Sequence, residues 1–137
     1  MRLITLILLF LPLFAQGQSL PIDFESDVIS SDFVDFDGGE GSVVANPLSD
    51  AVNTSEKVGK IVRDGGAIWA GSKIPLDDNL DFSLNNTIVM KVFTTAPVGT
   101  IVKFKLEGSG QTERDAKTTV TNAWEELKWD FTGTPNN

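Results

Sequence analysis

An all-β fold, an antiparallel β-sandwich, is what the sequence predicts, and three features carry the prediction. Beyond the N-terminus, apolar residues recur at every second position in short runs. The runs are broken by Gly, Asn, Asp and Pro. No long segment keeps the 3.6-residue period of a helix. Closely spaced strands of this kind, with turn residues between them, make sandwiches and barrels.

The strands are expected, in order, at "LPIDFE" (20–25), "DFVDFDG" (32–38), "GSVVANP" (41–47) and "KVGKIVRD" (57–64). They continue at "AIWAGSKIPL" (67–76), "NTIVMKVFTTA" (86–96), "GTIVKFKLEG" (99–108), "KTTVT" (117–121) and "WEELKWDF" (124–131). "DGGEG" (37–41) and "RDGGA" (63–67) supply residues free to take positive φ, so both read as turns. "APVG" (96–99) sets a proline early in a turn with a glycine behind it, which reads as a hairpin joining the strands on either side. "GSGQTERDAK" reads as a loop, with Arg114 at its rim.

Alternation assigns faces within the strands. Val102, Phe104 and Leu106 share one face, and Lys103, Lys105 and Glu107 the other. Ile88, Met90 and Val92 oppose Val89, Lys91 and Phe93. Leu127, Trp129 and Phe131 alternate with Glu126, Lys128 and Asp130, which points Trp129 into the core.

The N-terminus reads differently. Arg2 precedes an apolar run from Leu3 to Phe14, and Ala15 and Gly17 are small, which is the pattern of a secretory signal peptide over 1–17 cleaved after Gly17. The run is shorter than the ~20 residues of a membrane-spanning helix, so no membrane insertion is expected. Residues 18–137 then form one module with one core.

Composition excludes several classes of function. The net charge is −8, and loss of Arg2 makes it more negative, so nucleic acid and anionic membranes are poor partners. There is no cysteine, hence no disulfide framework in an exported chain. There is no histidine either, which removes the usual general base and the usual transition-metal ligand. The acids Asp77, Asp78 and Asp81, and the pair Glu125 and Glu126, could be searched for a glycosidase dyad. Neighbouring acids are expected by chance among nineteen, and a chain this size leaves little room for a deep cleft. The expectation is a non-enzyme.

The three tryptophans carry the functional question. An indole face bears negative quadrupole density and can stack on the C–H face of a pyranose. Trp129 belongs to the core, and Trp124 opens its strand where it can pack at a sheet edge. Trp69 shares a face with Ala67, Gly71 and Lys73, opposite Ile68 and Ile74, and serves equally as ligand platform or as packing. Lys91, Lys105 and Glu107 would lie on one side of a sheet if the "APVG" hairpin keeps register. They form either a polar floor for sugar hydroxyls or a solvated face of ion pairs.

The segments "LPIDFES", "VVANP", "NTSEKVGK", "IWAGSKIPLDDNLDFS", "TIVMKVFTTAPVGTIVKFKLEG" and "TTVTNAWEELKWDFTG" together resemble a module of secreted proteins from polysaccharide-degrading bacteria. This module is a galactose-binding-like jelly roll, similar to family-four and family-nine carbohydrate-binding modules. The resemblance implies a β-glucan or related polysaccharide as ligand and a place at the cell surface or outside it. It also implies covalent linkage to further domains, such as the catalytic domain of a glycoside hydrolase. Structural calcium beside Glu25 of the N-terminal "DFE" is implied too, although the partner acid of a final strand is missing here. The family pattern runs on past a "WEEL" strand, so the sequence is expected to be truncated at its C-terminus, with final strands missing.

The expected function is therefore a secreted, non-catalytic carbohydrate-binding module using Trp69, Lys91, Lys105 and Glu107. The alternative is a structural or adhesive β-sandwich unit of a larger protein, with no sugar site of its own.

Overall fold

Eight strands pair antiparallel in the computed structural model, which describes residues 20–63 and 65–134. The expected signal peptide, 1–17, lies outside the described residues. The strands are β1 (Val34–Phe36), β2 (Gly39–Ala45), β3 (Lys57–Arg63), β4 (Gly71–Lys73), β5 (Thr87–Phe93), β6 (Ile101–Glu107), β7 (Gln111–Lys117) and β8 (Trp124–Asp130). A single short 3₁₀ turn, Ser30–Asp32, precedes β1 among the described residues. The all-β, antiparallel, sandwich-like class expected from the alternating pattern is what the chain adopts.

The ladders are β1 with β4, β2 with β3, β5 with β8, and β6 with β7. The apolar faces of β5–β8 and β6–β7 meet in the principal core. There Leu106, Leu127, Trp129 and Phe131 are buried, with Leu80, Phe82, Ile88, Val92, Val102 and Phe104 packed around them. The Trp129 indole lies 5.4 Å from the Phe104 ring, and Phe131 stacks on Phe82 at 5.5 Å. A buried indole N–H needs an acceptor, and Nε1 of Trp129 donates to the Val102 carbonyl at 3.0 Å. Elsewhere Val28 and Val58 are buried, and the rings of Phe24 and Phe33 stack in parallel. Gly59 is required here by space, since a Cβ would lie 2.6 Å from the Phe24 ring.

Four expectations are corrected. Residues 20–25 form no strand: Phe24 has φ 64°, and Asp23 Oδ1 accepts the Glu25 N–H in a local turn that competes with extended pairing. The strand expected over 67–76 shrinks to Gly71–Lys73, because Ala70 N–H donates to the Ala67 carbonyl and closes a turn around Ile68 and Trp69. The penultimate strand is Gln111–Lys117 rather than 117–121. Its apparent loop polarity is a strand with charges on one face: Glu113 and Asp115 pair with Lys103 across the ladder at 3.2 and 2.8 Å. The fourth correction concerns "APVG", which turns as expected, with Gly99 at φ 86°. It does not make a hairpin of β5 and β6, because Gly99 N–H donates to Thr118 at the end of β7, and β6 pairs with β7. β5 pairs with β8 instead.

Candidate functional site

The site begins at the tight turn Asp37–Gly38. Both residues have positive φ, 55° and 101°, which the short polar side chain of Asp tolerates and Gly takes at no steric cost. The turn lies against the loop before β4. Ala67 N–H donates to the Asp37 carbonyl at 2.9 Å, and the Arg63 guanidinium donates to the carbonyls of Ala67 and Ile68 at 3.3 and 2.9 Å. Gly66 is fixed by contact, because a Cβ there would collide with the Asp37 carbonyl oxygen. Ala70 is buried behind the loop.

Trp69 stands on this loop with 67% of its surface exposed, and Ile68 beside it with 86%. The indole is nevertheless fixed: Nε1–H donates to Asp37 Oδ2 at 2.8 Å. Its edge is committed to the protein, and its ring is open to solvent. Of the two readings the sequence allowed, burial in the core is excluded by this exposure.

At the far end of β4, Lys73 Nζ meets Glu107 Oε2 at 2.7 Å, while Lys105 Nζ meets Glu107 Oε1 at 2.7 Å. The ammonium groups of Lys105 and Lys73, hydrogen-bonded to it, hold the Glu107 carboxyl down to about 2. Trp69 precedes β4 and Lys73 ends it, so at most ~14 Å separates their Cα atoms. The structure thus brings Lys105 and Glu107 together and adds Lys73, which sequence reasoning placed beside Trp69 without assigning it a role. The signal that could have found it was the alternation of Trp69, Gly71 and Lys73.

Lys91 is not brought to this cluster. It lies on β5, directly across from Glu126 of β8, because the expected β5–β6 hairpin does not form. Glu25 caps the start of β3: its Oε1 accepts the N–H groups of Glu56 and Lys57 at 2.7 and 3.3 Å. Among the described residues no group of three or more Asp or Glu side chains could hold a metal ion.

Glu125, Trp124 and Arg114 are occupied structurally. Glu125 accepts from Thr119 N–H, Thr119 Oγ1–H and Val120 N–H. Burial pushes its carboxyl up, but the bonds from Thr119 and Val120 together outweigh this and leave it below its ordinary value. Glu125 and Glu126 therefore do not form a convergent pair, since Glu126 is exposed on the opposite face of β8. Trp124 is half-buried, with its N–H donating to the Leu48 carbonyl at 2.7 Å and its ring against Phe93. Arg114 is no rim residue: it lies over the Phe131 ring, and its Nε–H donates to the Asp130 carbonyl.

Comparison with models of known families, with curated proteins and with solved structures found no match.

Proposed function

We propose that this chain is a secreted, non-catalytic carbohydrate-binding module of jelly-roll type that holds a polysaccharide on Trp69. The observation that carries the proposal is an indole two-thirds exposed and yet hydrogen-bonded in place. An exposed tryptophan costs free energy in water, and a fixed one loses little further entropy when a sugar ring stacks on it. The C–H face of a pyranose suits the negative face of the indole. Lys73 and Lys105, at the other end of β4, supply donors for hydroxyls further along the glycan, with Glu107 as acceptor. The net charge favours a neutral ligand, and a β-glucan is the first candidate on the resemblance.

The non-catalytic assignment is supported by the commitment of Glu125 to Thr119 and Val120, which leaves no paired acids of glycosidase type in that segment. Calcium enters only through the resemblance. An ion at Glu25 would act structurally, tying the segment before β1 to the start of β3, and would have to draw most of its oxygen ligands from backbone carbonyls and water.

A structural or adhesive role without a sugar site is the second reading. It is favoured by the separation of Lys91 from Lys105, which leaves Trp69 with fewer polar neighbours than a deep site has.

Affinity electrophoresis through gels containing neutral glucans and algal polysaccharides separates the two. Retardation on at least one neutral glucan, lost in Trp69→Ala, is expected. Retardation on none of them, or retardation that survives the substitution, overturns the carbohydrate reading in favour of the structural one.

A further inference from the structure

We infer that Asp37 is the positioning residue of the Trp69 platform, and that it restricts the platform to ligands that offer a C–H face rather than a hydrogen-bond acceptor. The inference rests on the reading of Trp69 as a ligand platform. Its structural half can be tested without any ligand.

An indole can meet a ligand through its ring face or through its N–H. Here the N–H is already bound to a carboxylate oxygen at 2.8 Å, a charge-assisted bond stronger than one a sugar hydroxyl offers. A ligand oxygen would have to displace Asp37 to reach it. The ring face has no such competitor, so Trp69 itself contributes stacking alone, which selects pyranose faces rich in axial C–H bonds.

Asp37 also holds the loop through its backbone, since its carbonyl accepts the Ala67 N–H while its side chain accepts the Trp69 N–H. One residue at a tight turn thus fixes both the path of the loop and the rotation of the indole. Without the carboxylate, Trp69 keeps its exposure but gains rotamers that a ligand must freeze out, at a cost of roughly two- to tenfold in affinity.

The test is Asp37→Gly, which removes the carboxylate while tolerating the positive φ of 55° at that position, so the turn itself is preserved. Asp37→Asn retains an acceptor oxygen and is the conservative rescue. Each of the three indole N–H groups gives its own proton–nitrogen correlation signal, and Trp69→Phe identifies the one from Trp69. In Asp37→Gly the Trp69 signal should shift and exchange faster with solvent, while those of Trp124 and Trp129 stay in place and report an intact fold. Asp37→Asn should restore it in part. In gels of mixed-linkage β-glucan, Asp37→Gly should bind roughly two- to tenfold more weakly than the parent, and Asp37→Asn less so. A Trp69 signal unchanged in both shift and exchange in Asp37→Gly overturns the positioning role. If the signal changes as expected but Trp69→Ala binds the glucan as the parent does, the positioning role stands and the sugar reading of the platform fails.

Discussion

Lys73 and Glu107 lie thirty-four residues apart in sequence and meet at 2.7 Å, so the end of β4 is fastened to the end of β6 by an ion pair. The pair is exposed, and salt screens such contacts. Its consequence is read best in the acid limb of stability. Held by Lys105 and by Lys73, Glu107 has a folded value of about 2, below its ordinary 4.5, so the folded state binds its proton less readily than the unfolded chain does. The stabilisation it gives is complete above about 4.5 and is lost as pH falls toward about 2. Glu107→Gln should lower Tm at pH 6 in low salt, and the gap from the parent should close between pH 4.5 and 2. Thermal melts across that range, repeated in 1 M salt where the gap should shrink, check it.

Trp129 is the largest fully buried side chain, and its N–H is the partner of the Val102 carbonyl. Trp129→Phe keeps most of the apolar volume but loses that hydrogen bond, at a cost of about 0.5–1.5 kcal/mol. Trp129→Ala adds a cavity beneath Phe104 and Phe131 and should cost about 3–5 kcal/mol. Urea denaturation of the two variants should return that order. A Trp129→Phe variant as stable as the parent would show that the hydrogen bond contributes nothing.

Arg114 points the other way from what its polar surroundings suggest. Its guanidinium covers the Phe131 ring at 5.4 Å and donates to Asp130 and to Glu113. Arg114→Lys keeps the charge but loses the planar fork, so it should destabilise nearly as much as Arg114→Met, by ~1 kcal/mol. Denaturation midpoints of the two variants decide this, and a fully stable Arg114→Lys would reduce the contact to simple charge.

These contacts show where the sequence was readable and where it was not. β5, β6 and β8 declared themselves because each buries one face, and Leu127, Trp129 and Phe131 fell inward as alternation requires. β7 was hidden because Arg114 and Thr112 occupy its inner positions and its outer face is charged to match Lys103. Partner choice was hidden as well. A turn residue such as Gly99 reports that the chain reverses, but not which strand it then meets, and Thr118 took the bond expected to fall within a β5–β6 hairpin. The actual pairing of β5 with β8 also takes Lys91 out of the candidate site. Trp69 reads as a strand residue within "AIWAGSKIPL", whereas Gly65, at φ 93°, bends the chain into the loop that exposes it.

That displacement of Lys91 yields a prediction about binding. A residue on β5, across from Glu126, belongs to a different ladder from Lys105, and the ladder partner of Lys105 is Glu113 of β7. If the polysaccharide runs along β4 from Trp69 toward Glu107, its hydroxyls meet Lys73 and Lys105 and not Lys91. Lys91→Ala should therefore leave glucan retardation unchanged. Lys105→Ala and Lys73→Ala should each weaken it roughly two- to tenfold, as expected for the loss of one net hydrogen bond of ~0.5–1.5 kcal/mol. Affinity electrophoresis of the three variants at one glucan concentration measures this. A loss confined to Lys91→Ala would place the glycan on β5 instead and detach it from Trp69.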